Sequence, residues 1–224
     1  MNLTLRSKNS VLLLFSSFFL SLPLYAQTGA LFHGCPIEGD AGPTTRSDAD
    51  LNVLKNRMAS PPDGFKPMHF DDIAQQEVPD GVSKKHRTKW PAETLDSVKS
   101  EEMKAVQVSG FLLKKKLEGR ESPNCHSIDQ ADRDFHIWLA NSSDDEKADA
   151  IVVEITPRIR AKHPSWTSIN IGRLITNKAQ VRISGWILLD PEHPDQVGKT
   201  RATIWEIHPI LKIEVFIAGK WQEF

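Results

Sequence analysis

The chain has no charge excess of either sign: 28 Lys and Arg stand against 29 Asp and Glu, a formal net charge of −1. A protein that works on phosphate backbones ordinarily shows a clear basic surplus. General nucleic-acid binding is therefore disfavoured, although a local basic groove stays open. The sequence also lacks an apolar run of the roughly 20 residues that a membrane-spanning helix needs. It contains no G-x-S-x-G, no H-E-x-x-H and no Gly-rich phosphate loop. Those absences speak against an esterase-type serine, a known zinc-protease motif and a nucleotide-dependent enzyme. Cysteine is scarce, with two in 224 residues, Cys35 and Cys125, and no Cys–His arrangement points to a reactive thiol.

What is present begins with an address. Arg6 and Lys8 form a basic start, residues 11–24 form a short apolar stretch, and Pro23 and Ala26 follow. Charge, apolar core, then a small residue is the order of a secretory signal peptide. The expected cut follows Ala26, with a cut after Ala30 as the alternative. An uncleaved anchor is the rival reading, but no basic stop-transfer flank follows. No Cys stands at the cut to carry a lipid. The mature protein is expected in the periplasm or outside the cell, with no transmembrane helix left after cleavage. In an oxidising compartment an even cysteine count favours a Cys35–Cys125 disulfide over two separate thiols. It would tie an N-terminal extension to the start of the next domain. Closing so long a loop is worth ~4–5 kcal/mol of chain entropy, and often less in practice.

Three regions follow: a signal peptide over 1–26, a Pro-rich irregular extension over 27–104, and a β-rich domain over 105–224. The extension holds Pro36, Pro43, Pro61, Pro62, Pro67 and Pro79. Residues 47–57, with Leu51 and Leu54, read as a short helix, as do residues 91–104, with Leu95, Val98 and Met103. Lys84, Lys85, His86, Arg87 and Lys89 cluster, either as an anion-docking patch or, as we expect, a solvated loop.

From Ala105 the texture changes. Residues 105–116 are β-rich around Gly110. Residues 134–140 alternate, with Asp134, His136 and Trp138 on one side and Phe135, Ile137 and Leu139 on the other. Residues 151–155 form a third strand, which Pro157 ends because proline has no N–H to give. Residues 164–176 read as a helix started near Ser165, with Trp166, Ile169 and Leu174 along one side. Residues 180–190 and 203–218 make the last two strands, with a bend or bulge at Pro209. Three strands, a helix and two strands is the order of an OB-like five-stranded barrel, and a glycine inside the first strand suits a barrel corner. The expected class is mainly β. Too few strands remain for a β-sandwich.

The chemistry-bearing residues fall on these strands: Asp134 and His136 on the second, Glu154 closing the third, Asp190 and His193 ending the fourth, Glu206 and His208 on the fifth. Residues two apart on a strand share a face, so each pair can converge. His, Asp and Glu are ligands for zinc and other divalent metals and the usual acid–base groups. Asp134, His136, Glu206 and His208 form the metal-binding candidate set. A structural role competes for each: Glu154 accepting from Arg182, His208 fixing the Pro209 bend, Asp190 and His193 framing a proline turn. A second candidate set, Trp138, Arg182, Trp186, Arg201 and Trp205, has the aromatic and basic types that OB barrels present to single strands. Burial of the tryptophans is the competing reading, and we expect it.

The linked segments Asp134-x-His136-x-x-Leu139, Val153-Glu154-Ile155-x-Pro157, Val181-x-Ile183-x-Gly185, Asp190-x-x-His193 and Glu206-x-His208-Pro209-x-x-x-Ile213 resemble a group of exported bacterial proteins of unestablished function. Leu51-Asn52-x-Leu54-Lys55-Asn56, after Cys35, is similar more loosely. This chain departs from the group in Trp205 before the Glu-x-His-Pro and in a longer loop at 142–149. The resemblance covers about the last half of the chain and implies export and an OB-like barrel, but no activity. The leading functional expectation is a secreted or periplasmic binding module for a glycan, peptide, oligonucleotide or small molecule. A metal-dependent hydrolase built on the Asp/His/Glu cluster is the alternative, and a purely structural polar network the third reading.

Overall fold

The computed structural model describes residues 31–42, 48–84 and 86–224. The leader expected over 1–26, both cut sites and Lys85 lie outside them. Among the described residues no helix is long and apolar enough to cross a membrane. The N-terminal segment carries α1 (Ala49–Lys55), β1 (Lys66–Pro67), α2 (Phe70–Ala74) and α3 (Ala92–Glu102). The strands β2 (Ala105–Leu117), β3 (Phe135–Ala140) and β4 (Ile151–Ile155) follow. Next come α4 (Pro157–Arg160), α5 (Ser168–Thr176), β5 (Gln180–Leu189), β6 (Trp205–Ile217) and β7 (Lys220–Glu223).

Strands β2 to β6 close a mainly β, five-stranded barrel in the order β2-β3-β4-β6-β5 and back to β2. The β4–β6 pairing is parallel and the others antiparallel. These are the five strands expected, with helices between the third and fourth. Closure depends on the length of β2, which pairs β5 along residues 105–111 and β3 along 111–117. It must bend where it changes partner, and Gly110 permits this: a Cβ there would stand 2.4 Å from the Ala140 carbonyl oxygen. The expected bulge at Pro209 is also present. Gly185 pairs with Ile210 and Ile187 with Ile207, so Trp186 faces two residues, His208 and Pro209.

Alternation places Ile137, Leu139, Ile151, Val153, Ile155, Ile183, Ile187 and Ile207 inside the barrel in one core. Burying each such side chain is worth ~1.5–3 kcal/mol. Phe70, Ile73, Trp90 and Val98 of the N-terminal segment join the same core. The extension is therefore packed on the barrel and more regular than its prolines led us to expect. The Cys35–Cys125 disulfide is formed, with Cα atoms 5.8 Å apart.

Four local expectations are corrected. The helix expected over 164–176 starts later, because the Thr167 side chain caps it by accepting from the Asn170 N–H. Ile169 stands five residues before Leu174, off its face of the helix, and points outward, 70% exposed, while Ile171 and Leu174, three apart, face the core. Arg87 is no part of a solvated loop; it is buried in an ion pair with Glu102. β1 adds in parallel to β2 and β7 in antiparallel to β6. Neither was expected, since β1 has two residues and the β6–β7 turn runs through Ala218, at a φ of 50° that alanine seldom adopts.

Candidate functional site

The same alternation that fills the barrel sends His136, Trp138, Glu154, Glu206 and His208 to its outer face. There β3, β4 and β6 lie side by side, with His136 across from Glu154. An outer face normally meets water, yet here His136, Glu154, Glu206 and His208 are all buried. Three pieces of chain form the roof. One is the loop at 118–134 joining the first and second barrel strands. Another is the loop at 190–204 joining the fourth and fifth. The third is α1 with residues 31–42.

The roof is held by polar contacts. Asn56, which caps the C-terminal end of α1, donates to the Ile37 and Pro123 carbonyls (3.0 and 2.8 Å), and Asn52 of α1 to the Glu38 carbonyl and Ser122 Oγ (2.8 and 2.9 Å). Arg158 donates to the Cys35 and Pro36 carbonyls at 2.8 and 2.7 Å. The disulfide lies in the same layer. Helix α1 thus turns Asn52 and Lys55 inward along with Leu51, and its cap Asn56 is buried beside them.

Under the roof is a cavity of about 140 Å³ lined by Lys55, Glu118, Glu121, His136, Trp138, Glu154, Asp190, Arg201 and Glu206, among others. Lys55 and Glu121 also line an adjoining cavity of about 210 Å³ beneath α1. His136 Nδ1 lies 2.7 Å from Glu118 Oε1 and 2.8 Å from Glu154 Oε1. Burial lowers the His136 imidazole, but those two carboxylates outweigh it and push it up to about 9. Burial pushes the Glu121 carboxyl up to about 8. Burial also works against the Lys55 ammonium, yet Glu121, Asp190, Glu154 and Glu192 raise it well above its ordinary value. A lysine so buried and still so basic reports a strongly negative surrounding.

Arg201 Nη1 joins two strand ends, reaching Glu206 Oε1 at 2.6 Å and Asp190 Oδ2 at 3.1 Å. Asp190 Oδ2 also meets His193 Nδ1 at 2.6 Å. Deeper in, His208 is wholly buried. Its ring nitrogens lie 3.8 Å from Asp134 Oδ2 (from Nε2) and 3.5 and 3.6 Å from Glu154 Oε2 and Glu206 Oε2 (from Nδ1). Those separations are too long for hydrogen bonds. Both His208 nitrogens, Asp134 Oδ2 and His136 Nε2 are buried without a hydrogen-bond partner.

The first candidate set thus assembles on one face, but in three groups. His136 sits with Glu118 and Glu154, His208 with Asp134 and Glu154, and Arg201 with Asp190, His193 and Glu206. Asp134, His136, Glu206 and His208 do not converge on one point; Glu154 links the two histidine groups. Among the described residues, two sets offer ligand atoms within 4.8 Å of one another: Glu118, His136 and Glu154, and Asp134, Glu154 and His208. Arg182 does not reach Glu154. It donates through Nε and Nη2 to Glu214, at 2.9 and 2.8 Å.

The aromatic and basic set is scattered, and the tryptophans are buried as expected. Trp138 lies against His136, with Nε1 donating to the Thr200 carbonyl (2.6 Å). Trp186 packs under Arg57 and donates to the Ala59 carbonyl (3.1 Å). Trp205 is in the core and donates to the Glu77 carbonyl (3.1 Å). Sequence reasoning missed Glu118, Glu121 and Lys55. Lys55 lay within a stretch already singled out, and its spacing from Leu51 and Asn52 is helical; nothing marked either glutamate. No protein-family model and no curated protein matches this chain.

Proposed function

We propose that this chain is an exported, OB-like binding module whose ligand is a small polar cation held under the roof of the outer face. Export is supported by the leader-like order of the first residues and by a disulfide that belongs to oxidising compartments. The OB-like reading rests on strand order and on the helix between the third and fourth barrel strands. Such barrels take ligands on the face of strands two and three, between the loop joining strands one and two and the loop joining strands four and five. Here that face carries the acid–histidine cavity, and those loops roof it. The observation that carries the reading is the concentration of carboxylates there, strong enough to hold Lys55 charged.

A thermal-shift panel of Mg²⁺, Ca²⁺, Mn²⁺, Zn²⁺, putrescine, choline and glycine betaine tests it, with a single-stranded oligonucleotide as counter-probe. At least one cation should raise the melting temperature of the wild type, and Glu118→Gln should weaken that response. Silence across the cations, or a response to the oligonucleotide alone, overturns the reading.

Metal-assisted hydrolysis is the second reading. Glu118, His136 and Glu154 favour it, because they offer ligand atoms at a cavity wall, where an ion would keep positions open for water and substrate. Turnover of p-nitrophenyl esters or of bis-p-nitrophenyl phosphate, dependent on added zinc or manganese, would support it. No turnover with either ion removes it.

A further inference from the structure

We propose that Asp134, Glu154 and His208 form a closed site for one divalent transition-metal ion, built into the fold beneath the cavity. The starting point is His208, an imidazole with no exposure and no hydrogen-bond partner on either nitrogen. Buried polar atoms are nearly always paired, and here Asp134 Oδ2 is unpaired beside it. The surrounding oxygens stand 3.5–3.8 Å from the ring nitrogens. Those distances are too long for hydrogen bonds, and they run to different ring nitrogens, Nε2 for Asp134 and Nδ1 for Glu154, so an ion would take one of the two. One atom from each of the three residues lies within 4.8 Å of the others.

The neighbours orient both carboxylates for this. Asn124 Nδ2 donates to Asp134 Oδ1 at 2.9 Å and leaves Oδ2 toward His208. His136 holds Glu154 Oε1 at 2.8 Å and leaves Oε2 toward His208. Outer partners that pin one oxygen and free the other are characteristic of metal sites. Charge agrees. Two carboxylates neutralise a divalent ion, with the imidazole as a neutral ligand. Nitrogen and oxygen donors with no thiolate suit zinc, manganese or ferrous iron; both cysteines are tied in the disulfide.

This site shares Glu154 with the cavity but does not depend on what the cavity binds. The three ligands come from the end of the roof loop, from β4 and from β6, so an ion there would fasten the roof to the barrel.

The test is metal analysis of the untagged mature chain, purified from the exported fraction without chelator. About one equivalent of divalent transition metal is expected in the wild type. The content should fall at least ~10-fold in His208→Ala and in Asp134→Asn, and Asn124→Ala should weaken affinity by ~10–100-fold. Should the His208 and Asp134 variants fail to fold, the wild type is unfolded with chelator and refolded with Zn²⁺, Mn²⁺ or Co²⁺. A higher melting temperature than the metal-free protein, with visible Co²⁺ ligand-field absorption, is expected. The proposal is overturned by a metal-free wild type that none of the three ions stabilises on refolding. It is equally overturned by an ion retained in both His208→Ala and Asp134→Asn. Stabilisation by putrescine or choline with no metal bound would overturn this site and leave the cavity's cationic ligand standing.

Discussion

On β3, β4 and β6, residues one step apart live in opposite surroundings. Ile137, Val153 and Ile207 point into the barrel; His136, Glu154 and His208 point out of it, under the roof, and are nearly as buried. The inner face needs volume and shape, and a side chain there finds partners in every direction. The outer face needs specific counter-groups at specific atoms. Glu154 contacts both histidines, and Arg201 contacts both Asp190 and Glu206. Burial alone therefore does not describe a position. Its tolerance to change depends on whether its surroundings are interchangeable or particular.

Five variants probe that contrast. Glu154→Ala should be the most damaging, since it leaves His136 and His208 buried without their shared carboxylate. A loss of ~3–5 kcal/mol is expected in denaturant unfolding. Ile137→Ala, on the inner face one residue from His136, should cost ~2–5 kcal/mol by opening a cavity. A loss below 1 kcal/mol would show that the barrel interior repacks freely. Joint Cys35→Ser and Cys125→Ser replacement removes a cross-link spanning 90 residues. It should cost ~2–5 kcal/mol, with hydrogen exchange rising first in the roof rather than in the barrel.

The fourth change inverts the comparison. Replacing Glu118, Asp134, His136, Glu154 and His208 together by Leu or Met removes both histidine groups with all of their carboxylates. If the cluster serves a ligand and not the fold, this variant should be at least as stable as the wild type, as apolar replacements of buried ion networks have been. Strong destabilisation would assign the cluster to structure.

The smallest effect concerns the Asp190–His193 contact. Its hydrogen bond to Asp190 raises His193, and Asp190, despite its burial, is held low by His193 and Lys55. A raised histidine stabilises below its unfolded value of 6.5 and loses that contribution as pH rises through its folded value. A lowered aspartate stabilises above its unfolded value of 3.8 and loses that contribution as pH falls through its folded value. The melting-temperature gap between wild type and His193→Ala should therefore be widest between pH 3.8 and 6.5 and close on the alkaline side. A gap that does not change with pH would remove the ionic contact as its cause.

Much of the barrel was legible because alternation is local: each strand shows its two faces without reference to any other. The Pro209 bulge and the Gly110 bend were legible for the same reason, as properties of single residues. The start of α5 was not, since it depends on which hydroxyl caps it. The candidate site was half legible. Asp134 with His136, and Glu206 with His208, share a face by spacing alone. That the face is roofed depends on Asn52, Asn56 and Arg158 meeting distant carbonyls, and no local pattern carries that. Lys55 reads as a solvent lysine until its neighbours are known. Trp205 has the composition of a stacking platform but shares the inward phase of Ile207.

By itself, then, the sequence determined the five barrel strands, their order along the chain and their two faces, because backbone geometry makes side-chain direction periodic. Which partners each polar group meets was decided by tertiary structure alone. Glu118, His136, Glu154 and His208 come together only when the barrel closes and sets β4 beside β6, and electrostatic pairing acts over a few ångströms in space, whatever the separation along the chain.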